Sequence, residues 1–251
     1  MQKLATAVDQ VVVMTDAARE RLRCEYEVDP RKITMIPHGA TVSTDASGVR
    51  GGRPTLVTWG LLGPGKGIER VIDAMATLKD LPGQPRYLVA GRMHRKMSAA
   101  GGESYRYALA ERARSRGVEA SVDFDTGYRN VAMLTALIQS AAVVVVPYDS
   151  GDQVTSGVLV DAVANGRPVV ATAFPHAVEL LASGAGIVVP HDDPEALTTA
   201  LRRVLTQPRL SGAMAAEARR LAPDMAWPVV ASAYHRLARA ILTRRPAWAW
   251  R

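Results

Sequence analysis

A single cysteine, Cys24, in 251 residues leaves no intrachain disulfide to staple the fold. Nothing in the thiol count calls for an oxidising compartment, so the cytoplasm is the expected location. Long hydrophobic runs are missing too. The longest, such as Ala141 to Pro147 (AAVVVVP), is about a third of the roughly 20 residues a membrane span requires. Asp9 and Gln10 interrupt the N-terminal apolar stretch where a secretory signal would need its hydrophobic block, so no transmembrane or leader segment is expected. Aromatic residues are scarce, at 5%, and none interleaves with basic residues as a base-stacking platform. The net charge of +7 therefore reads as a solvated, Arg-rich surface with no nucleic-acid partner, compatible with weak peripheral contact at the inner face of an anionic membrane. The five histidines, His38, His94, His176, His191 and His235, show no metal-ligand spacing, and no serine or Cys24 is paired with a base. No metal or other cofactor is expected.

What is present is an ordinary globular composition, 48% hydrophobic and 22% charged, with a strong rhythm. From Thr55 onward short apolar runs alternate with amphipathic stretches: TLVTW, then Ile68 to Leu78; RYLVAG, then Ser104 to Arg116; VDF, then Asn130 to Ser140. AAVVVV precedes Gly157 to Ala164, PVVAT precedes His176 to Leu181, and GIVV precedes Pro194 to Thr206, where Asp193-Pro194-Glu195 suits a helix start. Strands bounded by Gly or Pro and alternating with helices predict an α/β fold, a doubly wound parallel sheet covered on both faces. Helices over Arg209 to Leu221 and Ala226 to Thr243 close the chain. The first 44 residues hold one strand-helix-strand remnant, too short to bury a sheet of its own, and the Gly-, Ser- and Thr-rich stretch Thr41 to Pro54 reads as a linker. The expected division is a remnant over 1–44, a ligand-binding α/β domain over 45–222, and a C-terminal helix and tail over 223–251.

Gly60 to Glu69, GLLGPGKGIE, has the phosphate-loop spacing of Gly, four residues and Gly-Lys, and then departs from it. A strand delivers these glycines to a helix start, where unpaired N–H groups and the helix dipole favour an anion. The hydroxyl that would ligate magnesium is replaced by Gly67, and Pro64 removes a backbone donor. A nucleoside-triphosphate hydrolase built on this loop would lack its metal anchor.

The second constellation is Asp149 to Val170, DSGDQVTSGVLVDAVANGRPVV. Ser156 is a competent helix N-cap and Gly157 lets a phosphate approach the backbone. Asp161, four residues on, rises on the same side of that helix and suits a pair of vicinal hydroxyls such as those of a ribose. Together the two loops suggest a nucleotide diphosphate with a sugar at each end.

Gly60 to Glu69, Val89 to His94 (VAGRMH), Ala142 to Tyr148, the GRPVVAT run, IPHGA at Ile36 to Ala40 and GIVVPHDDPEAL occur in an order that resembles the donor-binding half of a GT-B retaining glycosyltransferase of family 4. The DQ-x-x-SGVL version at Asp152 to Leu159, followed by PHAVELL, is most similar to a mannosyltransferase-like branch. The resemblance implies a Rossmann-like C-terminal domain that takes a UDP- or GDP-sugar donor and transfers a hexose. It implies that Lys66 binds the donor diphosphate and stabilises the leaving group, joined by the backbone of Gly60, Leu61, Ser156, Gly157 and Val158. Asp161 would hold the ribose, the region of Gly127 and Tyr128 the base, and Asp152 and Gln153 the sugar.

Two departures stand out. The family pattern has two Glu flanking seven residues where this chain has Gln153 and Asp161, and an Arg in the first loop where it has Leu61; Arg92 is the candidate substitute cation. The resemblance also implies a first, acceptor-binding domain of which only the last strand, helix and linker remain. The expectation is a piece of a longer enzyme, or one half completed by a separate N-terminal domain, with weak donor binding and poor transfer alone. The alternatives are a non-catalytic nucleotide-sugar-binding module and an NTPase of phosphate-loop type. Asp123-Phe124-Asp125 imitates a metal motif but is expected to be a strand end with turn-forming acids; His94 and His176 are read as loop histidines, and Trp248 and Trp250 as a tail.

Overall fold

The alternation of apolar runs and amphipathic stretches becomes a wound sheet because each strand must bury both faces, and only a crossover helix can return the chain to a parallel neighbour. The computed structural model describes residues 2–42, 52–93 and 99–244. Most of the expected linker, together with His94, Trp248 and Trp250, lies outside the described residues. Strands β3 (Thr55–Trp59), β4 (Arg86–Ala90), β5 (Val122–Asp125), β6 (Val143–Val146), β7 (Val169–Thr172) and β8 (Gly186–Val189) form one parallel sheet in the order β5-β4-β3-β6-β7-β8. Helices α3 (Ile68–Leu78), α4 (Ala99–Ser115), α5 (Val131–Ser140), α6 (Gly157–Ala164) and α7 (Pro175–Leu181) connect them, and α8 (Pro194–Thr206), α9 (Pro208–Met225) and α10 (Trp227–Arg244) follow.

β6 shows why this sheet is stable: all four of its valines are fully buried, and each such side chain contributes about 1.5–3 kcal/mol of transfer free energy. One apolar layer joins Leu56, Val143 and Val145 to α3, α4 and α8. The other joins Val57, Val144 and Val146 to α5, α6, α7 and α9. The caps follow the sequence: Asn130, Ser156 and Asp193 each accept a backbone N–H from the first turn of the helix they precede.

The N-terminal segment folds as α1 (Gln2–Ala7), β1 (Val11–Val13), α2 (Asp16–Glu25) and β2 (Ile33–Met35), with β1 and β2 paired in parallel. It is fastened to the large sheet's helices. The Thr15 hydroxyl donates to the Val154 carbonyl at 2.8 Å, and the Glu179 carboxylate on α7 accepts the N–H groups of Asp16 and Ala17 at 2.9 and 3.0 Å. An anion at the first turn of α2 is where the helix dipole favours it. Farther along, the chain passes beneath the last two helices, where Ala40 exchanges backbone hydrogen bonds with Met225 and Trp227.

Two boundaries differ from expectation. α4 begins at Ala99, five residues before Ser104, its glycines carried by a helix that packs against α3. α9 runs through Pro223 to Met225, so a division placed at 222/223 falls inside a helix. The buried Ala222 and Met225 hold that last turn against the core despite the proline.

Candidate functional site

The sheet order reverses between β3 and β6: from β3 the chain builds outward to β5, then crosses back to add β6, β7 and β8. Such a switch point leaves a crevice at the carboxyl ends of the two strands. The loop after β3 is drawn tight there. Gly67 caps α3 in the left-handed region at φ 65°, and a Cβ at this position would stand 1.7 Å from the Pro147 carbonyl oxygen at the end of β6. The position that carries a hydroxyl in a phosphate loop is thus closed to every side chain. The Asp149 N–H donates to the Gly65 carbonyl at 3.0 Å, and Arg70 pairs with Asp149 at 2.9 Å, so the two loops are joined directly.

Lys66 is half-buried, with its Nζ 4.2 Å from the centroid of the Tyr148 ring, and burial pushes its ammonium pKa down. Tyr148 stacks on Phe174 at 5.2 Å, and its hydroxyl lies 3.5 Å from the Ser156 Oγ. Ser156 Oγ accepts the Leu159 N–H at 3.2 Å, while the Ser156 N–H donates to the Nδ1 of buried His176 at 2.8 Å. Burial holds His176 at a pKa of about 4, so the ring is a neutral acceptor. This fixes the start of α6 with the N–H groups of Gly157 and Val158 beyond the reach of any helix carbonyl. A Cβ at Gly60 would lie 3.6 Å from Val158 Cγ2, so the first loop also faces this helix start. Lys66 and the beginnings of α3 and α6 therefore meet at one crevice.

Beside it lies a cavity of about 210 Å³ with apolar walls from Trp59, Ala90, Leu134 and Leu137. Gly60, Leu61, Arg92, Gly127 and Tyr128 all line it, which gathers five of the expected site residues in one place. Arg92 is exposed, with its guanidinium 5.7 Å from the Tyr128 ring centroid. Asp125 accepts the Gly127 N–H at 2.8 Å and pairs with Arg129, contacts that hold its carboxyl below the usual range. It is a turn former, and among the described residues no group of His, Cys, Asp or Glu could hold a metal ion.

A second cavity, of about 200 Å³, shares Leu134 with the first and is lined by Asp161, His38, Asn165 and Trp227. Burial pushes the Asp161 carboxyl up to about 6, partly offset by the nearby His38. The sign has two consequences. An acid whose folded pKa exceeds its unfolded value takes up a proton on folding, so its contribution to stability falls as pH rises from about 4 to about 6. The ionised form is the stronger acceptor, so binding of a diol at this carboxylate should weaken as pH falls through about 6. Calorimetric titration of a nucleoside-diphosphate sugar, whose doubly esterified diphosphate does not titrate in this range, should show that inflection between pH 5 and 8, and Asp161→Asn should abolish it.

Asp152 and Gln153 lie on the loop that leads into α6. The Asp152 side chain is 85% exposed, with its carboxylate 3.8 Å from the Arg21 guanidinium of α2. Gln153 Nε2 donates to the Thr155 carbonyl at 3.0 Å, within its own loop. Both sit beside the N-terminal segment. His38, Tyr148 and Trp227 were not expected at the site. His38 and Tyr148 lie in runs already singled out, IPHGA and Ala142 to Tyr148, whereas Trp227 carries no signal in the linear pattern.

The family model for glycosyl transferases group 1 matches residues 42–221. The chain belongs to this glycosyltransferase family. It is 29% identical to a D-inositol 3-phosphate glycosyltransferase from Kineococcus radiotolerans, over 92% of this chain and 57% of the relative. The chain thus spans little more than half of that relative's length. Among solved structures, sucrose-phosphate synthase from Thermosynechococcus elongatus superposes with a TM-score of 0.80 at 23% identity, over 97% of this chain and 61% of that one. Anabaena Alr3699/HepE in complex with UDP-glucose gives 0.77 at 20% identity, over 96% and 66%. The two superpositions place this glycosyltransferase domain in the GT-B fold, and the doubly wound α/β architecture is the one its sequence predicts.

Proposed function

We propose that this chain is the donor-binding half of a retaining glycosyltransferase that moves a hexose, in the manner of the mannosyltransferase-like branch, from a UDP- or GDP-sugar to an acceptor held by a separate N-terminal domain. The observation that carries this reading is the chain of contacts from Lys66 through Tyr148 to Ser156, which joins a cation and the free N–H groups of a helix start. A diphosphate seated there meets an ammonium and two backbone donors. As the bond from the sugar's anomeric carbon to the diphosphate breaks, the electron pair stays on the phosphate oxygen, and these groups stabilise the charge that develops. The acceptor oxygen bonds to the anomeric carbon on the same face, and its proton passes to the departing phosphate. In this reading no metal and no protein nucleophile take part. The apolar cavity at Tyr128 takes the base, and Asp161 the ribose.

The neighbour solved with UDP-glucose and the inositol-phosphate-directed relative support a nucleotide-sugar donor. In this reading residues 1–44 belong to the acceptor side, the donor-binding unit runs from residue 45 to the end of α9 at Met225, and α10 follows. A location on the inner face of a membrane, by charge alone, fits the net charge of +7, and no described helix is long and apolar enough to cross a bilayer. Calorimetry with UDP-glucose and GDP-mannose should show binding of at least one in the micromolar to millimolar range, near −4 to −8 kcal/mol. Silence toward both diphosphates overturns the reading.

A second reading, a non-catalytic module of the same fold, is favoured by Gln153 and Asp152, whose side chains are engaged by Thr155 and Arg21. Co-expression with an acceptor-side domain separates the two: donor binding without any sugar transfer or donor hydrolysis selects the module.

A further inference from the structure

One partly buried side chain ties together three loops at the carboxyl end of the sheet. Arg70 lies in the first turn of α3, where its N–H donates to the Gly67 carbonyl at 3.1 Å, so it shares a turn with the left-handed cap. One guanidinium nitrogen pairs with the Asp149 carboxylate at 2.9 Å, in the loop after β6. Another donates to the backbone carbonyl of His191, in the turn between β8 and Asp193, the residue that caps α8. The ion pair lies against Gly67 itself, since Asp149 Oδ1 stands 3.4 Å from the Cβ position there.

Asp149 follows Tyr148, whose ring carries the Lys66 ammonium, and precedes the loop that ends in the Ser156 cap. Thr172 on β7 holds the Tyr148 carbonyl at 2.6 Å, and Arg70 holds the next side chain, so these two contacts set the direction in which the loop leaves the sheet. By charge alone a carboxylate beside an anion site is unfavourable. Paired with Arg70, it becomes an anchor. A partly exposed ion pair adds little to stability, whereas charge-assisted hydrogen bonds to a ligand depend steeply on where their donors stand. Resting on the nucleotide-diphosphate reading, we propose that Arg70 is a positioning residue that, through Asp149, holds the β6–α6 loop against the loop after β3 and sets the spacing between Lys66 and the start of α6, without itself touching the donor.

The test is calorimetry with the tighter-binding of UDP and GDP, well below the melting temperature of every variant. Arg70→Met should weaken binding about tenfold, and Asp149→Ala, which makes the crevice more positive, should weaken it about fivefold all the same. The double variant Arg70→Met/Asp149→Ala restores the original net charge yet should bind no better than Arg70→Met, because both changes cut one tie. Arg70→Lys, which keeps a cation for Asp149, should recover part of the affinity. Asp149 is exposed and its N–H bond to Gly65 survives truncation, so Asp149→Ala tests the sign even where Arg70→Met folds poorly. Tighter binding in Asp149→Ala, or unaltered affinity in the double variant, assigns Arg70 a role by charge alone and overturns the proposal. Unaltered affinity in both single variants, or no recovery in Arg70→Lys, overturns it too, and each of these outcomes leaves the diphosphate reading standing. Failure of the unaltered chain to bind either diphosphate overturns both.

Discussion

Lys66→Ala should weaken nucleoside diphosphate binding by about 10- to 100-fold, equivalent to roughly 1.4–2.7 kcal/mol, while leaving the melting temperature nearly unchanged. The two effects separate because the ammonium has little structural employment. Its Nζ rests on the Tyr148 ring, an interaction worth about 0.5–1 kcal/mol, and among the described residues no carboxylate lies within ion-pair distance of it. Partial burial already depresses its pKa, so the fold gives up some hydration of this cation and gains one ring contact in return. The balance changes only when a diphosphate arrives. Two negative charges beside a half-buried ammonium form charge-assisted hydrogen bonds in a medium less polar than water, and the free N–H groups of Gly157 and Val158 add to them. Lys66→Arg should recover part of the affinity, since the charge returns in a broader, planar shape. If the assembled enzyme transfers sugar, the same Ala variant should lose about 10²–10³ in kcat/KM. Calorimetry alongside thermal melting checks the first claim, and undiminished affinity in Lys66→Ala would remove the diphosphate site from the crevice.

Gly67→Ser should cost about 4–5 kcal/mol, enough to lower the melting temperature by roughly 10 °C or to prevent folding. This change would complete the phosphate-loop spacing on paper. In the fold it demands two incompatible things. A residue with a Cβ must enter the left-handed region at φ 65°, which costs about 1–2 kcal/mol. That Cβ must also occupy space 1.7 Å from the Pro147 carbonyl oxygen, which is backbone and cannot swing aside as a side chain would. Pro147 follows β6, whose valines are fully buried, so any shift is transmitted into the centre of the sheet. Gly65→Ala is the matched control. Gly65 has φ 86° with nothing within 4 Å of its Cβ position, so only the conformational part applies, about 1 kcal/mol. Differential scanning calorimetry of both variants tests the contrast, and a Gly67→Ser chain melting within 2 °C of the unaltered one would refute the close approach.

Much of the fold is visible in the linear pattern. Ile68–Leu78, Gly157–Ala164 and Pro194–Thr206 begin and end where capping residues and apolar periodicity put them. Valine runs bounded by Ala, Gly and Pro mark β6 and β7 for the same reason. The two discrepancies lie where local signals conflict with packing. The glycines at the start of α4 argue against a helix that α3 supports, and Pro223 argues for an end that Met225 denies.

The site divides along another line. Glycines, a lysine after them and a capping serine announce two anion-binding helix starts within short stretches of sequence, because the geometry of a βα turn is local. Where Asp152 points depends on α2, whose Arg21 lies 131 residues away in the chain yet stands beside it. No spacing rule could turn Asp152 toward solvent and Arg21, or set His38 over the start of α6.

The sequence by itself determined the order of strands and helices, the parallel sheet and the loops able to meet a phosphate, since propensity, periodicity and capping act over a few residues. Tertiary structure alone decided that Lys66 lies on Tyr148, that Gly67 admits no side chain, and that His38, Asp161 and Asn165 surround one cavity. These are contacts between remote segments. They exist only once burial of the sheet's two faces has brought the strand ends together and excluded water from between them.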